Sequence, residues 1–104
     1  MNQDIKEVVK KFIKEIIDGI KPNYVFDSHY VIHQLETLHK NEYENFRNSI
    51  KNKAQNSAHG LIAIIIGGIS NDDSNNVEKL KEVKSLSVNI NGNISECTAW
   101  LKLK

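Results

Sequence analysis

The amino-terminal segment carries apolar side chains at helical spacing. Lysines and glutamates occupy its other face, and Gly19 and Pro22 follow, so residues 3 to 20 are predicted to form an amphipathic helix. Its apolar stripe is broad for so small a domain, and we expect the rest of the domain or a second copy of the chain to cover it. The stripe consists of Ile5, Val8, Val9, Phe12, Ile13, Ile16, Ile17 and Ile20.

A second helix is predicted within FDSHYVIHQLETLHK. Asp27 is a suitable N-cap, because its carboxylate can accept hydrogen bonds from free backbone N–H groups in the first turn. The inner face is predicted to consist of Val31, Ile32, Leu35 and Leu38.

A third helix is predicted within NEYENFRNSIK. Asn41 and Glu44 have the spacing of a capping box, with Asn in place of the usual Ser or Thr. Tyr43, Phe46 and Ile50 recur at helical spacing and form the predicted buried face.

The most apolar stretch is AHGLIAIIIGGIS, residues 58 to 70. Its isoleucines suit a strand, and its spacing suits a helix, so periodicity alone does not separate the two. The run that begins at Ser57 is long for a strand, which favours a buried helix. Ser57 would cap that helix, and Gly67 and Gly68 would mark its end or a turn.

The carboxy-terminal part alternates between polar and apolar residues, which is typical of a strand with one wet face. The polar loop SNDDSNN precedes VEKLKEVKSLSVNI, and NGN at residues 91 to 93 is predicted to be a hairpin turn into ISECTAWLKL. Ile94 and Trp100 are predicted core residues. Helices followed by an antiparallel β-hairpin predict an α+β fold.

Size and composition limit the class of protein. The 104 residues, 39% hydrophobic and 26% charged, predict one domain with a leading helix (1–22), a helical core (26–70) and a hairpin (82–104). The net charge of +1 disfavours a protein that grips long nucleic acid by charge alone. A single cysteine, the mixed charges of MNQDIKEVVKKF and the shortness of the 61–69 apolar run predict a cytoplasmic protein that contacts no membrane.

Three segments, FDSHYVIHQL, AHGLIAIIIG and SVNINGNISECTAWLK, give the chain a resemblance to small bacterial winged-helix-like domains of unassigned function over residues 26 to 102. The positions that stand in this pattern are Tyr43, Ser87, Asn89, Gly92, Cys97 and Trp100. The resemblance implies three or four helices with a C-terminal antiparallel β-hairpin, and a helix-turn-helix that could bind DNA. The chain departs from it where a basic recognition helix is expected. That position holds the apolar run 61–69 or the loop with Asp72 and Asp73, leaving at most a short turn at residues 77–80.

Few residues predict catalytic or metal chemistry. His29 and His33 have the i, i+4 spacing of a metal clamp, but Tyr30 stands where a zinc protease has Glu, and no third ligand is evident. We therefore expect two surface or boundary histidines, with no metal and no cofactor. His59 is predicted to bond to backbone at a helix start, and Cys97 to be a small buried residue. An enzyme is not expected.

Two hypotheses for function remain. In the first, basic residues and the hairpin tip bind nucleic acid, the tip entering a minor groove. The residues assigned to this role are Arg47, Lys51, Lys53, Lys81, Lys84, Asn91 and Asn93, with Lys79 beside them. In the second, the same scaffold is a protein–protein adaptor or inhibitor. In either case we expect a homodimer formed through the N-terminal helix.

Overall fold

The chain folds into helices packed against one antiparallel sheet. The computed structural model describes residues 3–50 and 55–104, with only the backbone described for residues 3 and 55–57. Within this part, four helices and three strands confirm the predicted α+β class. In chain order they are α1 (Gln3–Asp18), β1 (Val25–Asp27), α2 (Ser28–Leu38), α3 (Lys40–Asn48), α4 (Gln55–Asp72), β2 (Val77–Val88) and β3 (Ile94–Lys102).

The apolar stripe of α1 is covered mostly by the same chain, although Val8 of that stripe is 42% exposed. Val9, Ile13 and Ile17 are fully buried, and α1 packs against α2, α3 and α4. The first of the two expected ways of covering the stripe is therefore the one found. The homodimer through α1 was predicted because the broad stripe needed a cover, and the same chain supplies most of that cover.

Helix α2 begins as predicted. Asp27 is its N-cap, and Asp27 Oδ1 accepts a hydrogen bond of 2.8 Å from the Tyr30 N–H. Val31, Ile32 and Leu35 are buried, but Leu38 is 60% exposed, so its assignment to the inner face was wrong. Leu38 is the last residue of the helix, where the chain turns into α3.

Helix α3 begins earlier than the sequence predicted. It starts at Lys40, and its N-cap, His39, makes no side-chain capping bond. The prediction of a capping box formed by Asn41 and Glu44 was therefore wrong. The His39 ring instead stacks on Phe12 of α1, with centroids 3.6 Å apart and planes 11° apart. Packing between helices thus fixes the α2–α3 junction. The predicted inner face is confirmed, since Tyr43, Phe46 and Ile50 are buried.

The apolar stretch 58–70 forms a buried helix, as predicted. Its ends differ from the prediction, because α4 already includes Ser57 and continues through Gly67 and Gly68 to Asp72. Burial of Ile66 and Ile69 on the core side stabilises the helix through the two glycines. The polar loop is accordingly shorter, covering residues 73–76. No helix in the described ranges combines the length and hydropathy needed to cross a membrane.

The sheet has the strand order β1-β3-β2, with every pairing antiparallel. Residues 77–80 lie in β2, so they are a strand and not the short turn considered above. Trp100, 1% exposed and opposite Phe26 of β1, is confirmed as a core residue. Between Lys79 and Lys84 the register shifts, because four β2 residues face the single residue Ala99 of β3. This bulge separates the base of the hairpin from its outer part.

The outer part of the hairpin, residues 84–98, is here called the wing. Its register pairs Lys84 with Thr98, Leu86 with Glu96 and Val88 with Ile94, and these residues share the face that points away from the helices. The opposite face is polar and packs toward α2. Ile94 is 67% exposed, so its assignment to the core was wrong.

Candidate functional site

The inner face of the wing meets the start of α2 in a network of polar side chains, here called the wing anchor. It contains Asp27 and His29 from the α2 end, Ser85, Ser87 and Asn89 from β2 and the turn after it, and Ser95 and Cys97 from β3. Residues far apart in sequence thereby hold the wing against the helices.

His29 is the centre of the wing anchor. Its Nδ1 lies 2.7 Å from Ser87 Oγ and its Nε2 lies 3.3 Å from Ser95 Oγ, so one ring joins both wing strands to α2. The residue is only 7% exposed. The expectation of a surface or boundary histidine was wrong for His29. His33, one turn later and half-buried, contacts the Val88 carbonyl oxygen through Nε2 at 3.0 Å.

Asp27 adds a charged contact at the base of the wing. Ser85 Oγ donates to Asp27 Oδ2 at 2.5 Å, while Oδ1 caps α2. Burial opposes ionisation, but the hydrogen bonds from Ser85, the Tyr30 backbone and Ser87, together with the charge of His29, outweigh it and lower the pKa of the Asp27 carboxyl. The carboxylate is thus the form that binds both α2 and β2.

Asn89 fixes the tip of the wing. Its Oδ1 accepts from the backbone N–H groups of Asn91 and Asn93, at 2.9 and 3.1 Å, and its Nδ2 donates to Ser95 Oγ at 3.3 Å. Gly92 takes φ +84°, which confirms the predicted turn at residues 91–93. The turn is therefore locked to the wing anchor by a single side chain.

Cys97 is half-buried beside Ser87, with 4.0 Å between Sγ and Oγ. Burial and the neighbouring Asp27 carboxylate raise the pKa of the thiol. Hydrogen bonds from the backbone of His29 and Ser28 and from the Ser87 side chain only partly offset this rise. A nucleophilic cysteine needs the opposite shift and a free base. Both ring nitrogens of His29 are already engaged by serines.

A cleft of about 240 Å³ lies next to the wing anchor, between α2, α4 and β3. Ser28 and His59 line it, and Ser28 Oγ is buried with no hydrogen-bond partner. His59 Nε2 lies 3.0 Å from the Tyr43 hydroxyl, a side-chain partner that the sequence did not predict. Burial, together with the nearby positive charge of His29, Arg47 and His33, lowers the pKa of His59.

The residues predicted to bind nucleic acid are spread over α3, β2 and the wing turn in the described part of the chain. Lys51 and Lys53 lie outside the described residues. Arg47 lies in the last turn of α3, near enough to His59 to affect its charge. Lys79 and Lys81 are exposed on β2 among Glu78 and Glu82, and Lys84 Nζ lies 3.8 Å from Glu96 Oε1. At the tip, Asn91 and Asn93 give their backbone N–H groups to Asn89.

The outward side of the wing, here called the outer wing face, is apolar toward the hairpin tip. It comprises the three pairs Lys84–Thr98, Leu86–Glu96 and Val88–Ile94. Leu86 is 72% exposed, Val88 48% and Ile94 67%. The hairpin is therefore inverted, with its polar side packed against helices and its apolar side in solvent.

The wing anchor was missed at the level of the sequence, although a signal existed. The alternation of Ser85, Ser87 and Asn89 with Leu86 and Val88 correctly separated two faces. Nothing in that alternation identified His29 as the partner that would hold the polar face inward.

Within the described ranges, no group of three or more His, Cys, Asp or Glu side chains is arranged to hold a metal ion. Neither a protein-family model, nor a curated protein, nor a solved structure matches this chain.

Proposed function

We propose that this chain is a non-enzymatic protein-interaction module that binds another polypeptide through the outer wing face. The inverted wing carries this proposal. Burial of a fully exposed aliphatic side chain is worth roughly 1.5–3 kcal/mol, yet the fold turns Leu86, Val88 and Ile94 outward and leaves much of each exposed. A surface of this kind is typical of a binding site.

We further propose that the scaffold is winged-helix-like, with α1 as a leading helix. Helices followed by a C-terminal hairpin, and the strand order β1-β3-β2, support this arrangement. The helix before the wing, α4, turns Gly60 and the 67%-exposed Ile64 toward solvent. Such a surface offers few hydrogen bonds to base edges and suits contact with protein better than with DNA.

A non-enzymatic role is supported by the wing anchor. Its histidine is bonded on both nitrogens, and the raised pKa of Cys97 keeps the thiol protonated. Asp27 already holds two hydrogen bonds. These groups position the wing. The single cysteine fits a reducing compartment, so we place the protein in the cytoplasm.

The proposal can be tested by comparing two leucine variants in the native host. Leu86→Lys places a charge at the centre of the outer wing face, and Leu38→Lys makes the same change at a 60%-exposed leucine at the end of α2. Proteins that co-purify with the wild type and with Leu38→Lys, but not with Leu86→Lys, would support the proposal. Equal recovery with all three would contradict it.

Nucleic-acid binding is the second candidate function. Lys79 and Lys81 are exposed near the base of the wing, and no ion pair among the described residues involves them. Binding through them would be salt-sensitive and would weaken in a Lys79→Gln, Lys81→Gln variant. Fluorescence anisotropy with duplex DNA at low salt measures this, and unchanged binding by Leu86→Lys would separate it from the first proposal.

A further inference from the structure

We propose that the partner on the outer wing face is a second copy of this chain. This inference rests on the proposed function, since it names the polypeptide that the same surface binds. Three observations carry it. They are the arrangement of the six side chains on the outer wing face, the charges beside its apolar end, and the structure of the strand edges next to it.

The six side chains form a grid of two columns and three rows. One column runs along β2 through Lys84, Leu86 and Val88, and the other runs along β3 through their partners Thr98, Glu96 and Ile94. Apolar residues fill one end of the grid, and the oppositely charged Lys84 and Glu96 occupy the other part. Sheets that pack face to face bury such a surface about 10 Å from its counterpart.

Two copies of this grid complement each other around a two-fold axis that runs along the strands. That axis lays β2 of one copy over β3 of the other and keeps the rows in register, so Val88 meets the partner's Ile94, and the partner's Glu96 lies opposite Leu86, one row from Lys84. Lys84 then lies near the partner's Glu96, and the symmetry makes each contact twice. Within one chain the Lys84–Glu96 ion pair is loose, with 3.8 Å between its atoms and side chains 71% and 63% exposed. Both charges are therefore available to a second copy.

The charge of the whole chain also permits self-association. Its formal net charge is +1, so two copies repel each other only weakly. A nucleic acid would bring phosphates to an apolar surface that holds Glu96, and a lipid surface would have to bury the same carboxylate. A second copy supplies its Lys84 for the Glu96 carboxylate and its Val88 as an apolar cover for Ile94.

We expect the second copy to bind the face of the wing and not a strand edge. Strand β2 lies at the edge of the sheet, and the bulge between Lys79 and Lys84 interrupts its ladder just before the wing. In the described part of the chain, residues 94–98 of β3 also form an open edge, because β1 pairs only with residues 99–101. Bulges and edge lysines oppose the addition of another strand. Face-to-face packing of two wings avoids this obstacle.

Sedimentation equilibrium over a series of protein concentrations tests the inference. The wild type and Leu38→Lys are expected to dimerise equally, while Leu86→Lys raises the dimer dissociation constant by about tenfold or more. Circular dichroism checks that each variant is folded. A wild type that stays monomeric throughout the series would overturn the inference.

A charge-swap experiment identifies the partner more sharply. K84E alone and E96K alone each place like charges across the two-fold axis, so each is expected to dimerise more weakly than the wild type. Mixed in equal amounts, they place the two carboxylates of the first variant opposite the two ammonium groups of the second. A heterodimer should then form at wild-type strength or better. No gain on mixing would contradict the proposed geometry.

The two proposals fail in different ways. If the wild type is monomeric but Leu86→Lys still loses a host protein, the second copy is wrong and the interaction module stands. If Leu86→Lys changes neither dimerisation nor co-purification, both are wrong.

Discussion

His29 Nδ1 lies 2.7 Å from Ser87 Oγ, and this contact joins the first turn of α2 to a strand 58 residues later in the chain. The other ring nitrogen contacts Ser95, so removal of the ring's nitrogens takes from two partly buried hydroxyls their bonds to α2, although each keeps a contact within the wing. We expect His29→Phe to lower the free energy of unfolding by about 1–3 kcal/mol. Urea denaturation measures the change. His33→Ala, which removes a single contact to Val88, should cost less, and equal costs would contradict a central role for His29.

Cys97 can report whether the wing stays in place. It is the single cysteine, half-buried beside Ser87, and burial raises the pKa of its thiol, so it should react slowly with iodoacetamide in the wild type. In His29→Phe the wing is held less firmly, and alkylation is expected to be several-fold faster under native conditions. Mass spectrometry of timed samples measures the rate. An unchanged rate would mean that the wing is held without His29.

Asp27 should make the stability of the folded protein depend on pH in the acidic range. Burial raises the pKa of its carboxyl, but hydrogen bonds from Ser85, Tyr30 and Ser87 and the charge of His29 together lower it in the folded protein below the ordinary value of 3.8. The unfolded chain therefore binds the proton first, and this contribution to stability is lost as pH falls from about 4 through the folded pKa. Asp27→Asn keeps a capping side chain but does not titrate, so its melting temperature should fall less steeply over that range. Melting curves at successive pH values compare the two.

The helices could be predicted from the sequence because each has an apolar face of its own. Val9, Ile13 and Ile17 mark α1 by spacing alone, and Asp27 marks the start of α2. The start of α3 could not be found in this way, because its N-cap, His39, makes no side-chain capping bond and its ring stacks instead on a residue of α1. Strand β1 has three residues, which is too short for alternation to appear.

The wing shows a second limit of sequence reasoning. Alternation revealed that Leu86 and Ser87 lie on opposite faces, but it carried no information about which face meets the helices. The usual rule would place Leu86 inside. The rule fails here because His29 pairs with Ser87 and Ser95, and such a pairing between distant residues leaves no local pattern.

His59 predicts a second pH dependence, nearer to neutrality. Burial, with the positive charge of His29, Arg47 and His33, lowers its pKa below the ordinary value of 6.5. The unfolded chain takes up the proton first, so stability is full above about pH 6.5 and declines as pH falls below it toward the folded pKa. His59→Gln can still bond to the Tyr43 hydroxyl but does not titrate. Its unfolding free energy should change less than that of the wild type between those pH values, and an identical slope would assign the effect to another group.

Gly92 should be the position where the wing turn tolerates substitution least. Its φ of +84° lies in the left-handed region, while an added Cβ would meet no atom within 4 Å, so the cost of Gly92→Ala arises from the backbone alone. We expect a loss of about 1 kcal/mol or more.

Gly60 provides the matched control for this prediction. It is exposed within α4 and also has free space around an added Cβ, so the same substitution there should stabilise the protein by about 0.5–1 kcal/mol. Chemical denaturation of both variants gives the two values. Opposite signs are the expected result, because the first glycine supplies a conformation that alanine resists and the second occupies one that alanine prefers. A stabilising Gly92→Ala would show that the turn at the wing tip adopts a different conformation, and the backbone bonds from Asn91 and Asn93 to Asn89 would then have to be reassigned.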